Sequence, residues 1–353
     1  MELAVTESTL YDTAVYSLQN VTRRQPPPET SDGLRAVALF LRTYYTPTMV
    51  ALGVVGNVAS IVVFTRTCLA RLSCGVYLGA SATANTIFLL SLTGHWLRVF
   101  GVDVDGGGAA CQFVAFVDGA CAFLSVWFVV AYATDRYIAV CRPRRAERMC
   151  TTYRAKVVSV LLVTTAVIVY INLSLTVGAR RVRGGRRRCR AMRLLHPGLD
   201  TLAVVDIAVN VVLPYAALLA ESVLVAIRTF ARRRHMRCTR SVAEQDAQAP
   251  DACALVTFVV VFLLLRVPRD VGQALDRVYR LNGQRYFSSL GVYYRHSIAQ
   301  HLYNTSYCIH LFVHLASFRK FRACAHELLT RTSGGEAAES EMRTQDAETD
   351  EIL

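Results

Sequence analysis

Asp118, Asp206, Arg266, Arg269 and Asp270 are charged side chains set within long apolar stretches, and Asp135-Arg136-Tyr137 closes another such stretch. A charge in that setting is costly. An arginine at the centre of a membrane helix loses about 2.5–3.5 kcal/mol on insertion scales, so it must face a polar interior and find a partner. The chemistry on offer is therefore charge recognition, of a neighbouring side chain or of a ligand group. Catalysis is not indicated, because no nucleophile–base pair and no cysteine set with metal-ligand spacing accompanies these residues. His310 and His314 stand four apart on one helical face, a spacing that suits two zinc ligands. With His296 and His301 they suit hydrogen bonding in a wet core equally well, and that is the reading adopted. No enzyme activity, metal or cofactor is expected.

The elements that must hold these charges are membrane helices. Of the 353 residues 53% are hydrophobic and 18% charged, with a mean hydropathy of +0.33, whereas soluble domains run to roughly a quarter charged. The apolar residues fall into seven blocks: Tyr44 to Thr65, Leu72 to Trp96, Ala109 to Thr134, Val157 to Ala179, Leu199 to Ile227, Ala252 to Gly272 and His296 to Phe318. Each approaches or exceeds the about 20 residues a helix needs to cross ~30 Å of hydrocarbon. The third, fifth and sixth carry internal charges, which lowers their hydropathy. The expected fold is an all-α membrane protein, a seven-transmembrane helix bundle with a short amphipathic eighth helix. Its parts are an N-terminal tail over 1–43, the bundle over 44–318, the amphipathic helix over 319–330 and an acidic, unfolded tail over 331–353. Residues 1–43 hold no apolar core behind a basic start, so no signal peptide is expected. Seven spans then put the termini on opposite sides.

Orientation follows from the short loops. Arg142, Arg144, Arg145, Arg148, Arg154 and Lys156 follow the third span, Arg228, Arg232, Arg233, Arg234, Arg237 and Arg240 the fifth, and Arg319, Lys320 and Arg322 the seventh. The positive-inside rule makes these faces cytoplasmic and the N-terminus extracellular, in the plasma membrane. One loop opposes the rule: Ala179–Arg193 holds eight arginines in fifteen residues. Asn20-Val21-Thr22 is an N-glycosylation acceptor, which works only outside. Most of the eleven cysteines lie in spans or on the cytosolic side, where thiols stay reduced. Cys111 and Cys189 fall on the oxidising side and are paired here. The net charge of +13 is mostly cytoplasmic arginine plus the one basic loop, so it does not imply nucleic acid.

The third span carries the strongest resemblance. It starts at Cys111, contains Ser125-Val126-Trp127-Phe128-Val129-Val130-Ala131 and ends Asp135-Arg136-Tyr137-Ile138-Ala139-Val140-Cys141-Arg142-Pro143. This resembles the rhodopsin-like (class A) G-protein-coupled receptors, and looks most like invertebrate neuropeptide receptors of the FMRFamide and myosuppressin type. Gly56-Asn57, Pro214, Pro268, Asn304-Thr305-Ser306-Tyr307 and Phe318-Arg319-Lys320-Phe321-Arg322 stand where that family has landmarks, and Trp96 with Phe100-Gly101 resembles the first outer loop of peptide receptors. The resemblance covers residues 44–330. It implies a cell-surface receptor that binds an extracellular ligand, a neuropeptide, and activates a heterotrimeric G protein through Asp135, Arg136 and Tyr137. Twenty-five residues separate Cys111 from Arg136, about 37 Å at ~1.5 Å per residue, so this helix joins the outer mouth to the cytosol.

Several positions depart from the family pattern. Asn85 stands where a sodium-binding Asp is usual, the fourth-span Trp is missing, Arg266 replaces the aromatic residue two before Pro268, and His310-Leu311-Phe312-Val313-His314 replaces Asn-Pro-x-x-Tyr. No sodium site is expected, and the switch must differ. Asp118 lies 18 residues above Arg136 and Arg266 lies 14 above Ala252, depths of about 27 Å and 21 Å. The expectation is that they meet, either as ligand contacts or as a structural pair whose breaking costs ~3–5 kcal/mol. Asp206 is the other candidate partner. The ligand cavity is thus assigned to Asp118, Asp206, Arg266, Arg269, Asp270, Asn304 and Trp96.

The arginine loop would draw anionic ligand groups, while Asp118 and Asp206 would draw cationic ones; a peptide with both suits both. The basic end of the fifth span is suited to G protein and anionic lipid. Cys324, on the amphipathic helix, is a palmitoylation site or an ordinary thiol. Ser340, Thr344 and Thr349 sit in an acidic tail suited to a receptor kinase and arrestin. Two alternatives stay open: a scavenging seven-helix receptor that binds ligand without G-protein signalling, and an amine receptor using Asp118. An opsin is excluded, since Lys156 and Lys320 are the only lysines and both lie on the cytoplasmic side.

Overall fold

The computed structural model describes residues 30–97, 108–181, 187–191, 204–236, 242–281, 286 and 289–330. Asn20, Ser340, Thr344 and Thr349, and the side chain of Cys189, lie outside the described residues. Helix α1 runs Thr30–Phe40, passes one π turn at Leu41–Tyr45, and continues Thr46–Arg66. It starts well before Tyr44 because the apolar run Ala36–Leu41 carries the helix through Arg42. The π turn has a local cause. Pro47 lacks an N–H and its ring presses on the carbonyl one turn back, and a wider turn relieves both.

After a 3-10 turn at Cys68–Arg71 come α2 (Ser73–Leu97), α3 (Gly108–Cys141), the short α4 (Pro143–Met149, with proline in its first turn) and α5 (Thr152–Ser174). A hairpin follows, β1 (Val177–Arg181) antiparallel to β2 (Arg187–Ala191), with Ala179 opposite Cys189. Helix α6 covers residues 204–236, with a second π turn at Ala208–Val212 placed just before Pro214 as the first is placed before Pro47. Helix α7 is Val242–Leu281, α8 Leu290–Thr305, α9 His310–Ser317, and α10 covers residues 319–330. The seventh block is therefore two helices. Between them Ser306, Tyr307 and Cys308 donate their amides three residues back, to Tyr303, Asn304 and Thr305 at 3.0–3.1 Å.

Five described helical stretches are long and apolar enough to cross a membrane: Asp32–Arg66, Ser73–Leu97, Gly108–Cys141, Thr152–Asn172 and Val204–Arg232. The third and fifth qualify in spite of their internal charges. It is the sixth, with Arg266, Arg269, Asp270, Asp276 and Arg277, and the broken seventh that fall short. The core packs the spans at the Asp135 end, where Phe64, Leu69, Leu78, Phe128, Val129, Leu218, Leu255 and Phe321 are nearly inaccessible. Leu161, Ile168, Leu224, Ile227, Phe230 and Leu264 are exposed on the perimeter, the pattern of a surface solvated by acyl chains rather than water. Close approach depends on small residues: a Cβ at Gly119 would lie 2.3 Å from the Tyr170 ring, and one at Gly75 2.1 Å from the Leu69 carbonyl oxygen.

Cys111, at the start of α3, is disulfide-bonded. Cys324, the candidate palmitoylation site, is bonded to Cys68, in the turn between α1 and α2. The reading from sequence left both reduced, because it had no means of seeing that the first turn and the last helix touch.

Candidate functional site

The charged residues of the hairpin end do not form the cluster expected. Asp118 is buried on α3, but it does not meet Arg266. Its two carboxylate oxygens take Ser91 Oγ at 2.6 Å and His95 Nε2 at 2.7 Å, both from α2. Arg266 lies lower. Its Nε donates to Ser306 Oγ at 3.0 Å and its Nη2 to Ser125 Oγ at 3.4 Å. Ser125 is seven residues below Asp118 on the same helix, a drop of about 10 Å, so the expected pair is out of reach. The depth estimate failed at its origin: it took Ala252 as level with Arg136, but Arg266, 14 residues above Ala252, reaches Ser125, only 11 above Arg136. Ala252 therefore lies lower, on a helix that runs on to Val242.

Arg266 is 2% exposed and no carboxylate touches it among the described residues. What holds it instead is aromatic. Its guanidinium carbon is 4.6 Å from the Phe262 ring centre and 4.7 Å from those of Tyr303 and Tyr307. Ring faces carry partial negative charge, and a desolvated cation over one gains ~2 kcal/mol or more. Arginine suits this cage because its plane can stack while its edges reach two hydroxyls.

One helical turn higher, a polar chain crosses the bundle from α6 to α8. The Tyr215 hydroxyl donates to Asp270 Oδ2, Arg269 Nη1 meets Asp270 Oδ1 at 3.0 Å, Arg269 Nε donates to Gln300 Oε1 at 3.0 Å, and Gln300 Nε2 donates to Asn304 Oδ1 at 3.0 Å. Arg269 also stacks 4.2 Å above Tyr303. Asp206, half-buried on α6, is held by Asn210 Nδ2 at 2.6 Å and by Arg277 at 3.6 Å. Trp96 is half-buried at the hairpin end of α2. The structure thus joins Arg269, Asp270 and Asn304, puts Arg266 beneath them, and gives Asp118 and Asp206 separate partners. Tyr215, Gln300, Tyr303, His95 and Arg277 were missed. Arg277 had a signal, since eleven residues past Arg266 is three helical turns on the same face; uncharged Gln300 and Tyr303 had none.

At the other end Arg136 is tied to its neighbour: Nη2 and Nε both donate to Asp135 Oδ2, at 2.6 and 3.2 Å. Tyr137 is half-buried beside them. Thr134 donates to Glu221 on α6 at 2.6 Å. The Cys150 thiol, after α4, donates to the Asp135 carbonyl at 3.5 Å, and burial, with the Asp135 carboxylate next, pushes it up to about 12. Between the two ends, Asn85 and His310 share a hydrogen bond at 2.9 Å, and Asn57 Nδ2 donates to the Tyr307 carbonyl at 2.8 Å. His310 and His314 pack on Phe258, with ring centres 5.0 and 5.5 Å away.

Residues 56–315 match the family described as 7 transmembrane receptor (rhodopsin family). The chain belongs to that family. The receptor is therefore a multi-pass plasma-membrane protein and not an enzyme, and its cytoplasmic partner is a G protein. It is 26% identical over 273 residues to the rabbit (Oryctolagus cuniculus) growth hormone secretagogue receptor type 1, covering 72% of this chain and 75% of that one. The rat (Rattus norvegicus) counterpart is 27% identical over 65% of each chain. The mouse (Mus musculus) somatostatin receptor type 2 is 28% identical over 39% of this chain and 37% of its own.

Proposed function

We propose that the receptor binds an extracellular peptide at the hairpin end and answers by activating a heterotrimeric G protein at the Asp135-Arg136-Tyr137 end. One observation carries this reading: a single 34-residue helix, α3, has a disulfide-bonded cysteine at its start and the Asp135–Arg136 pair near its finish. Such an element can transmit a displacement at one end to the other. Relatives named for a growth hormone secretagogue and for somatostatin support a peptide as the ligand. The polar chain Tyr215–Asp270–Arg269–Gln300–Asn304 is the ligand floor in this reading, with Asp118, Asp206 and Trp96 on the walls. The finer likeness to invertebrate FMRFamide and myosuppressin receptors rests on the motif from Ser125 to Pro143 alone.

The proposal includes an outward N-terminus carrying a glycan on Asn20, a Cys111–Cys189 bond fastening the basic hairpin, and inward basic loops touching anionic lipid. A receptor kinase acting on Ser340, Thr344 and Thr349, with arrestin following, completes it. Release of Arg136 from Asp135 is the cytoplasmic step. An amine ligand on Asp118 is disfavoured, because both carboxylate oxygens are already engaged by Ser91 and His95. A peptide-library screen on cells expressing the receptor, read by calcium and by cyclic AMP, tests the reading. A hit whose response disappears in Arg136→Ala, with surface binding kept, supports it. The scavenging alternative draws on Arg266 and His310, which replace the usual moving parts; a saturable ligand that moves neither readout would establish it instead.

A further inference from the structure

Cys68 and Cys324 are 256 residues apart in sequence, yet their Cα atoms are 6.7 Å apart and their sulfurs are bonded. Cys68 is exposed at the start of the turn between α1 and α2, and Cys324 is buried on α10. The same contact is apolar underneath: Leu69, Cys74, Phe318, Phe321 and Cys324 pack in one cluster, so the two sulfurs are brought together by the fold itself. Arg66 and Arg71 flank Cys68, and Arg319, Lys320 and Arg322 precede Cys324. A basic neighbourhood favours the thiolate, the reactive form of a cysteine. In the orientation proposed above, on which this argument rests, both sulfurs face the cytosol. Glutathione and thioredoxin keep thiols reduced there, and a disulfide in that compartment is ordinarily transient and redox-sensing.

We propose that Cys68 and Cys324 form an oxidation-dependent clasp, closed by hydrogen peroxide and opened by cellular thiols, which withholds Cys324 from S-acylation. The exposed Cys68 thiolate attacks one peroxide oxygen; the O–O bond breaks, a sulfenic acid forms and the departing hydroxide leaves as water. The Cys324 thiolate then attacks the Cys68 sulfur, forming the S–S bond and expelling a second hydroxide, which takes up a proton. Two thiols lose two electrons, and one peroxide gains them and becomes two waters. Two glutathione molecules reverse the change and leave as oxidised glutathione. Closed, the clasp ties α10 to the first cytoplasmic turn. Open, it frees a membrane-adjacent thiol for a fatty thioester.

The full-length receptor in intact cells provides the test. A membrane-impermeant maleimide is applied first, before and after permeabilisation. A second set of cells receives a hydrogen peroxide pulse, is blocked with N-ethylmaleimide, and is digested for mass spectrometry of the linked Cys68 and Cys324 peptides. Hydroxylamine-sensitive labelling reports acylation of Cys324 in parallel. The expected results are maleimide labelling only after permeabilisation, a severalfold rise in linked peptide after peroxide, and its loss on adding dithiothreitol. Cys68→Ser should remove the linked peptide and raise the acylated fraction at Cys324 under peroxide. Recovery of both cysteines as separate adducts after peroxide, or a linked fraction that neither peroxide nor reductant moves, overturns the clasp. Labelling of Cys68 by the impermeant reagent in intact cells would overturn the orientation instead.

Discussion

Arg266 illustrates how a buried charge can be accommodated without an opposite charge. Three aromatic rings and two serine hydroxyls surround it, an arrangement that depends on the planarity of the guanidinium. Lysine would keep the full desolvation cost while losing the stacking and one hydroxyl. Arg266→Lys should therefore melt earlier than Arg266→Met in detergent-solubilised receptor, by the equivalent of about 2 kcal/mol; equal melting would show that the cage contributes nothing specific. Gly119 is a second site where one atom matters. Gly119→Ala drives a methyl into Tyr170, and overpacking of this kind costs roughly 1–3 kcal/mol. Trimming Tyr170 to Leu in the same chain should recover most of that loss in thermal melting. At this scale the sequence revealed which residues are charged and deeply placed. It did not reveal their partners, because a pairing such as Asp118 with His95 depends on helix rotation and level, which residue spacing alone does not set.

Helices, by contrast, were legible. Seven apolar blocks became the spans of the bundle because length and apolarity are the properties a bilayer selects, and a block count reads both directly. The hairpin, the two π turns and the break at 306–309 were not legible, since they concern hydrogen-bonding pattern rather than composition. The second and seventh spans offer a test at this level. Asn85 and His310 are 0% and 2% exposed and bonded to each other, so removing either leaves a buried polar group unpaired, at about 1–3 kcal/mol. Asn85→Leu and His310→Leu should each lower the melting temperature, and the double variant should lose clearly less than their sum. Strict additivity would mean that the two spans are not coupled there. Cys111 is disulfide-bonded, so Cys111→Ser removes a crosslink of the kind that typically contributes 2–4 kcal/mol, and surface expression at 37 °C should fall with it.

For the molecule as a whole, the Asp135 end and the hairpin end differ in what sequence reasoning could do. The Asp135–Arg136 pair was found because its two members are adjacent in the chain, and the distance of 2.6 Å needs no long-range folding. The hairpin-end network joins α6, α7 and α8, and only the folded bundle brings Tyr215, Asp270 and Gln300 within reach of one another. Function at this scale predicts a separation of effects. Arg136→Ala should abolish ligand-driven nucleotide exchange on the G protein while leaving ligand affinity within a few fold. Asp270→Asn, which weakens the grip on Arg269 and Tyr215, should reduce affinity first. If Arg136→Ala weakened binding as much as signalling, the two ends would not be separate sites.

The paired π turns before Pro47 and Pro214 carry one more consequence. Each inserts a residue into its helix, and one residue is about 100° of rotation. Side chains beyond the turn toward the hairpin end, Asp206 among them, are therefore out of phase with the stripe that unbroken counting from Pro214 would extend. A ligand-contact map transferred by residue number along α1 or α6 keeps its register up to the proline and then points each position to a different face. Mapping the mouth of this receptor by scanning mutagenesis should accordingly treat the stretches on either side of each π turn as separate rulers with their own zero.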